Sequence, residues 1–379
     1  MDFKNHIILF IILFVILLVS LSPCRSQTND SVYFQNFQIY PSDSNKLLLQ
    51  IDNTNFIKNN EYFGNIAEGY TLLGFNLTPK FVYYPNSRIK LSAGGNFTSY
   101  YGRENEINAS LLLTFQYKVL PHFDFVLGNI YGTLNHKLID PLFDFERYLS
   151  NNIENGVQFL WNSDRIFTDL WLNWEQQIFQ DDPFQEKFNV GLSSEFILLQ
   201  KDQYELSIPF QNLIRHEGGQ INSNSDEPLK TIFNNATGLR FSKNMNHKLI
   251  HKFDVSSFIV NYQDLSPNKQ QMYIDGTASF TSLELTNTNF DFLVGYWYGK
   301  QFISPIGNPI YESYSRTMFY VEEPIRQLII GKLNYQKNVY SGINMGFRFE
   351  TYYDLLWSNL EYTWTVMVVL KEDFFLKKF

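Results

Sequence analysis

Few side chains in this sequence could carry acid–base chemistry. Six histidines are present; His136 precedes Asp140 and Asp144 within one short stretch, and His216 is followed directly by Glu217. An imidazole beside a carboxylate can activate a nucleophile or a water for hydrolysis, so these are the candidates for an outer-rim hydrolase. Neither has a serine in a recognisable context, and no nucleophile elbow, phosphate loop or metal-ligand motif occurs. His122 falls in an expected turn. His247 and His251 are in strand phase and would share a face, but Asp254 falls on the opposite one. Leu249, Phe253 and Val255 join the histidines, which favours an interfacial pair near a strand end over a metal site. The sequence reading is therefore a protein that is not an enzyme, with no metal and no cofactor.

A denser group of charges lies between Asn135 and Asn152. His136, Lys137, Asp140, Asp144, Glu146 and Arg147 alternate there with Leu138, Leu142, Phe143, Phe145, Tyr148 and Leu149. Exposed loops seldom carry so many apolar residues, so this segment is expected to pack against something. Folded into a lumen, its charges would form a constriction that sets selectivity. Folded over a barrel mouth or against a partner, it would only stabilise. Lys118, Glu195, Glu205, Arg348 and Glu350 are expected to face inward as well, lining a water-filled pore or pairing across a closed lumen.

The elements that position these residues are strands. Leu111, Leu113, Phe115, Tyr117 and Val119 alternate with Thr114, Gln116 and Lys118. Phe290, Phe292, Val294, Tyr296 and Tyr298 oppose Asp291, Gly295 and Gly299. A helix would scatter each set around its circumference, whereas a strand keeps it on one face. In the last twenty residues Tyr362, Trp364, Val366, Val368 and Leu370 form one apolar face, and alternation is lost after Leu370. Short turns are expected at Asn86-Ser87, Pro121-His122, Asn162 to Asp164, Lys201-Asp202, Asn244 to Asn246, Asn287-Thr288 and Lys337-Asn338. Eight longer, polar loops separate them. About 16 strands result, with 14–18 as the range, since Ser31 to Tyr40 and Ile310 to Tyr320 could add two.

Composition narrows the class. Aromatics make up 17 % of the 379 residues and charged residues only 18 %, below the roughly 25 % of ordinary globular chains. Beyond residue 26 no apolar run approaches the roughly 20 residues a spanning helix needs. The apolar strand face is consistently aromatic and aliphatic while the other is polar, the inside-out arrangement of an all-β transmembrane antiparallel barrel, with short periplasmic turns and longer extracellular loops. Lys4 and the apolar stretch Ile7 to Leu21 read as a secretory signal peptide over residues 1–26, followed by a periplasmic leader (27–45) and a barrel (46–379). The single cysteine, Cys24, lies within that signal, so no disulfide is available to the mature chain. The net charge of −8 argues against nucleic acid as a partner.

These features together resemble a Gram-negative outer-membrane β-barrel, and the Phe/Tyr-rich strands are similar to porin-like barrels of the Bacteroidota. Gly128 to Leu138, followed by Asp140-Pro141-Leu142, resembles a segment of uncharacterised members of that group. The resemblance implies an outer-membrane location and contact with outer-membrane lipid. It also implies insertion by the barrel-assembly machinery, which reads the final strand ending at Phe379. Lys377 and Lys378 depart from the usual terminal pattern. The functional expectation is passive, porin-like passage of small hydrophilic solutes. The alternatives are a plugged structural or adhesin-type barrel that binds through its loops, and an outer-membrane hydrolase. The oligomeric state is left open, a homo-oligomer included.

Overall fold

The computed structural model describes residues 32–379 except 104–105, 220–226, 248 and 319–320. The expected signal peptide and the start of the leader lie outside the described residues. The first eight strands are β1 (Lys46–Glu61), β2 (Thr71–Asn86), β3 (Ile89–Tyr100), β4 (Ile107–Leu120), β5 (Phe123–Asn129), β6 (Asn155–Asn162), β7 (Ile166–Gln176) and β8 (Glu186–Lys201). The remaining eight are β9 (Tyr204–Gly218), β10 (Lys230–Asn244), β11 (Lys252–Asp264), β12 (Asp275–Thr286), β13 (Phe290–Lys300), β14 (Ile325–Tyr340), β15 (Ile343–Asp354) and β16 (Asn359–Lys378). Each strand pairs with its neighbours in sequence, and β16 pairs antiparallel with β1 to close the barrel. Closure matters because a membrane offers no hydrogen bonds to an open sheet edge.

The inside-out pattern is as expected. On β4, Leu111 is 76 % exposed on the outer wall while the inward Gln116 is fully buried. On β16, Thr363, Thr365, Met367 and Val369 are buried inward and Tyr362, Trp364, Val366 and Val368 face out. The period of two is the reason sequence can sort the faces.

Several boundaries differ. The turn expected at Asn244 to Asn246 spans 245–251, so His247 and His251 sit in a connection rather than on one strand face. The turn expected at Lys337-Asn338 lies at Ser341-Gly342, where Gly342 takes a positive φ of 72° that a tight reversal requires. Neither 32–40 nor 310–318 is a strand; the latter carries a short 3-10 turn at Pro309–Tyr311 and one isolated bridge, Tyr314 to Glu322. β16 does not end near Leu370. It continues to Lys378, because β1 extends alongside it with Lys46 opposite Lys378 and Gln50 opposite Asp373. Pairing, rather than amphipathicity, sets where that strand ends.

A closed sheet of 16 strands encloses more space than its own side chains can fill. Three segments occupy the interior: the leader from Val32 to Ile39, the β5–β6 connection (130–154) and the described part of the β13–β14 connection (301–318 and 321–324). The leader is held by its backbone carbonyls. Lys371 donates to Phe34 O, Lys90 to Asn36 O, Gln116 to Phe37 O and Lys118 to Ile39 O. The β13–β14 connection brings Phe302, Ile303, Ile310 and Tyr311 against Trp297, Phe280, Leu328, Ile330 and Tyr352, all inward-facing. The barrel thus has an apolar core inside it on the β11–β15 side, where the sequence reading expected a polar inner face.

Truncating the chain after Leu370 removes the partners of Lys46 to Asp52. The fraction migrating as the compact, heat-modifiable form in unboiled SDS gels should fall sharply relative to full length. An unchanged fraction would mean that these outer residues contribute nothing to closure.

Candidate functional site

The 130–154 connection reaches inward positions around much of the barrel, so it crosses the lumen rather than lying over its mouth. Tyr131 donates to Gln116 of β4 (2.7 Å), and Gln211 of β9 donates to Lys137 O (3.0 Å). Lys332 of β14 meets Asp140 (2.5 Å), Lys58 of β1 meets Glu146 (2.6 Å), and Asn76 of β2 donates to Leu149 O (2.9 Å).

His136 lies at the centre of this connection and is fully buried. Its Nδ1 is 2.7 Å from Asp169 Oδ2 on β7, and its Nε2 is 3.1 Å from Glu154 Oε2. Both acceptors are carboxylates, so both ring nitrogens donate and the ring is an imidazolium. The ring also stacks on Trp171 at 3.6 Å and 9°. Burial alone would discharge it, but the Glu154 and Asp169 carboxylates outweigh burial and hold its pKa up to about 9. The remaining carboxylate oxygens are also satisfied, by Gln158 Nε2 on Asp169 Oδ1 and by the Thr133 amide on Glu154 Oε1. An imidazolium with both nitrogens committed is a clamp between the connection and β7. It has no free nitrogen to act as a base.

The other residues expected at a constriction are largely paired. Lys137, in the left-handed conformation at φ 55°, lays its ammonium 3.7 Å from the Phe167 ring centroid. Asp140 shares Lys332 with Glu350 (3.0 Å), which also binds Arg348 (2.5 Å). Arg348 lies 4.1 Å over the Phe145 ring. Arg147 meets Glu175 at 2.9 Å, and Glu175 also holds Arg215. Glu146 accepts from Lys58, Asn60 and Tyr70. Asp144 accepts from the Glu146 amide and lines a cleft of about 170 Å³ with Lys58, Tyr62, Tyr70 and Arg316. Burial, with help from neighbouring Glu146 and Asp140, pushes its carboxyl up to about 6.

Of the inward charges, Lys118 holds the leader, and Glu195 binds Arg240 (2.8 Å) and accepts from Ser207 Oγ. Glu205 lies inward, half-buried beside the β8–β9 turn. Phe379 packs edge-on to Tyr83 at 5.5 Å, and its amide donates to Asn45 O. Among the described residues, no three histidine, cysteine or acidic side chains group as metal ligands would.

The second histidine candidate is arranged differently from the sequence reading. Adjacent strand residues point to opposite faces, so Glu217 faces inward, bonded to Arg215 (3.1 Å), while His216 faces out. The partner of His216 is Thr231 on β10: Nδ1 lies 2.9 Å from Thr231 Oγ1. Period-two alternation could have excluded Glu217. Thr231 was beyond reach, because its register depends on how the chain returns after residue 219.

The comparisons with known proteins agree on the architecture. The chain resembles the outer membrane protein OprD from Pseudomonas aeruginosa at 8 % identity and a TM-score of 0.51, covering 90 % of this chain and 97 % of that one. It also resembles OmpT of Vibrio cholerae with loop L8 deleted, at 9 % identity and a TM-score of 0.50, covering 86 % and 99 %. At such identity the likeness shows the fold: a bacterial outer-membrane barrel. No curated protein matches the chain. The family model described as "Lipid A 3'-O-deacylase-type" matches residues 39–379. That is an enzyme family, and the match overturns the expectation that the protein is not an enzyme.

The His136 clamp has a defined pH signature. A group whose pKa is raised from 6.5 to about 9 on folding stabilises fully below pH 6.5, and that contribution is lost as pH rises through about 9. Resistance of the folded barrel to urea should therefore decline over that window. His136→Gln should lower it at pH 6 by roughly 3 kcal/mol or more, since it strands buried carboxylates, and should remove this part of the pH dependence. A flat profile in the native barrel would show that the triad carries no net charge change on folding.

The chain belongs to the lipid A 3'-O-deacylase-type family, on a match spanning nearly all of its described residues.

Proposed function

We propose that this barrel is an outer-membrane hydrolase that releases an ester-linked acyl chain from a lipid A-type glycolipid. The observation that carries the reading is the family match over residues 39–379. The interior supports it. In a passive pore, inward polar groups are wetted, yet Gln116, Gln158 and Asp169 are fully buried, and Thr363, Thr365 and Glu350 nearly so. Chain covers them, and much of the charge expected to steer ions is neutralised in pairs. In this reading His136, Lys137, Asp140, Glu146 and Arg147, with Lys118 and Arg348, anchor the inward segments to the wall, while Glu195 and Glu350 pair with cations of the wall itself. They do not form a selectivity ring.

Residues 1–26 direct export and Phe379 closes the strand that the assembly machinery engages; the apolar h-region and the terminal aromatic support both roles. Passage of small hydrophilic solutes is the second reading, favoured by the likeness in fold to OprD.

Purified full-length protein incubated with lipid A in mixed micelles should produce free fatty acid and a lipid A species lighter by one acyl chain, read by mass spectrometry. In a planar bilayer the same preparation should show no steady porin-sized openings. Intact lipid A together with steady openings would reverse the order of the two readings.

A further inference from the structure

Opposite charges in a poorly solvated cleft attract strongly, so a pair held apart there leaves room for a ligand that answers both. One such cleft, of about 170 Å³, lies inside the barrel on the side of the longer connections. Three segments build it. The end of β1 and the loop after it supply Lys58, Tyr62 and Tyr70. The β5–β6 connection supplies Asp144 and Glu146, and the β13–β14 connection supplies Pro309 and Arg316. Glu68, Tyr70 and Thr317, which also line it, are exposed, so the cleft opens to the extracellular side.

Arg316 is fixed by three hydrogen bonds. Its Nε donates to Glu312 Oε2 (2.7 Å), and its Nη2 donates to Ser304 O (2.6 Å) and Gly307 O (2.9 Å). Nη1 carries two more N–H groups, and no described residue accepts from them. Asp144 is fixed independently: its amide donates to Ile306 O (3.0 Å), and its Oδ1 accepts from the Glu146 amide (3.0 Å). Among the described residues its Oδ2 has no donor and no ion pair. Lys58 is already committed to Asn60 and Glu146, both at 2.6 Å. Asp144 and Arg316 feel each other's charge without meeting in an ion pair. The Asp144 carboxyl, held up at about 6 by burial and by Glu146 and Asp140 against the pull of Lys58, behaves as an anion short of a partner.

We propose that this cleft binds a small zwitterion of the α-amino acid class, its carboxylate on Arg316 Nη1 and its ammonium on Asp144 Oδ2. The site goes beyond the hydrolase reading and is independent of it. Charge selects the class. A simple anion would meet Arg316 and leave Asp144 unanswered, and a simple cation would do the reverse. A zwitterion satisfies both and leaves the net charge of the cleft unchanged. Size narrows the choice further: at roughly 30 Å³ per water-sized group the cleft holds about five or six heavy atoms, the number in glycine or alanine. Ile66, Ala67 and Pro309 give it an apolar side suited to a methyl group. The Tyr62 hydroxyl, unbonded among the described residues, offers one more polar contact. Because both charged groups are anchored in advance, little has to be ordered on binding, which favours affinity.

The test is equilibrium dialysis of radiolabelled L-alanine against the full-length barrel in detergent micelles, with folding followed by heat-modifiable gel mobility. Binding should be saturable, at one site per chain, and displaced by glycine. Methylammonium and acetate, each added alone at the same concentration, should not displace it. Asp144→Asn keeps the oxygen that accepts from the Glu146 amide and removes the charge; it should weaken binding by roughly 10–100-fold, as loss of a charged partner does. Arg316→Gln should weaken it by a similar factor. If either variant does not fold, the competition series on the native barrel decides the matter. The site is overturned by the absence of saturable binding to the native barrel or by native-level binding in folded Asp144→Asn. It is equally overturned if methylammonium or acetate alone displaces alanine as well as glycine does.

Discussion

Everything inside this barrel follows from one requirement: a closed sheet of 16 strands must fill its interior with something that satisfies its inward polar groups. Water would do so at no conformational cost. Here chain does it. Each lysine or glutamine that binds the leader or the β5–β6 connection replaces a hydrogen bond to water with one to a backbone carbonyl. Such exchanges are worth about 1 kcal/mol each when complete, and leaving a buried partner unmatched costs more. The near-complete pairing around His136, Glu154 and Asp169 reflects that asymmetry.

The same requirement accounts for the apolar core within the lumen. Phe302, Ile303, Ile310 and Tyr311 reach Trp297, Phe280 and Tyr352 because the β13–β14 connection is long and folds inward. Once inside, apolar side chains gain by meeting other apolar side chains. The wall strands β11–β15 therefore carry large apolar residues at inward positions, whereas β2–β4 carry Asn76, Thr78, Asn96 and Gln116. Asymmetry of the lining tracks which segment lies against it.

A filled lumen moves attention to the outer wall. There the solvent is lipid, and polar groups among the aromatics of the girdle are exceptions. His216 and Thr231 form one such exception, joined to each other across β9 and β10 beside Phe188 and Trp174. The interior anchors the wall strands, and the wall strands hold this pair in register.

The sequence by itself determined the strands and the alternation of their faces and held the number of crossings within a narrow range, because alternation is local and each side chain reports its own face. Leu111, Gln116, Thr363 and Trp364 lie where period two puts them. It also marked the 135–152 segment as too apolar to be free in solvent, and His136 and His216 as the histidines with acidic neighbours. Only the tertiary structure decided what those histidines meet. Glu217 adjoins His216 in sequence but faces the other way; Thr231 is fifteen residues distant and lies against it. Asp169 reaches His136 across 33 residues. The final strand's true end at Lys378 came from its pairing with Lys46 at the start of the first strand. Contacts of this kind depend on strand register and barrel closure, which are properties of the whole sheet and are written in no single segment.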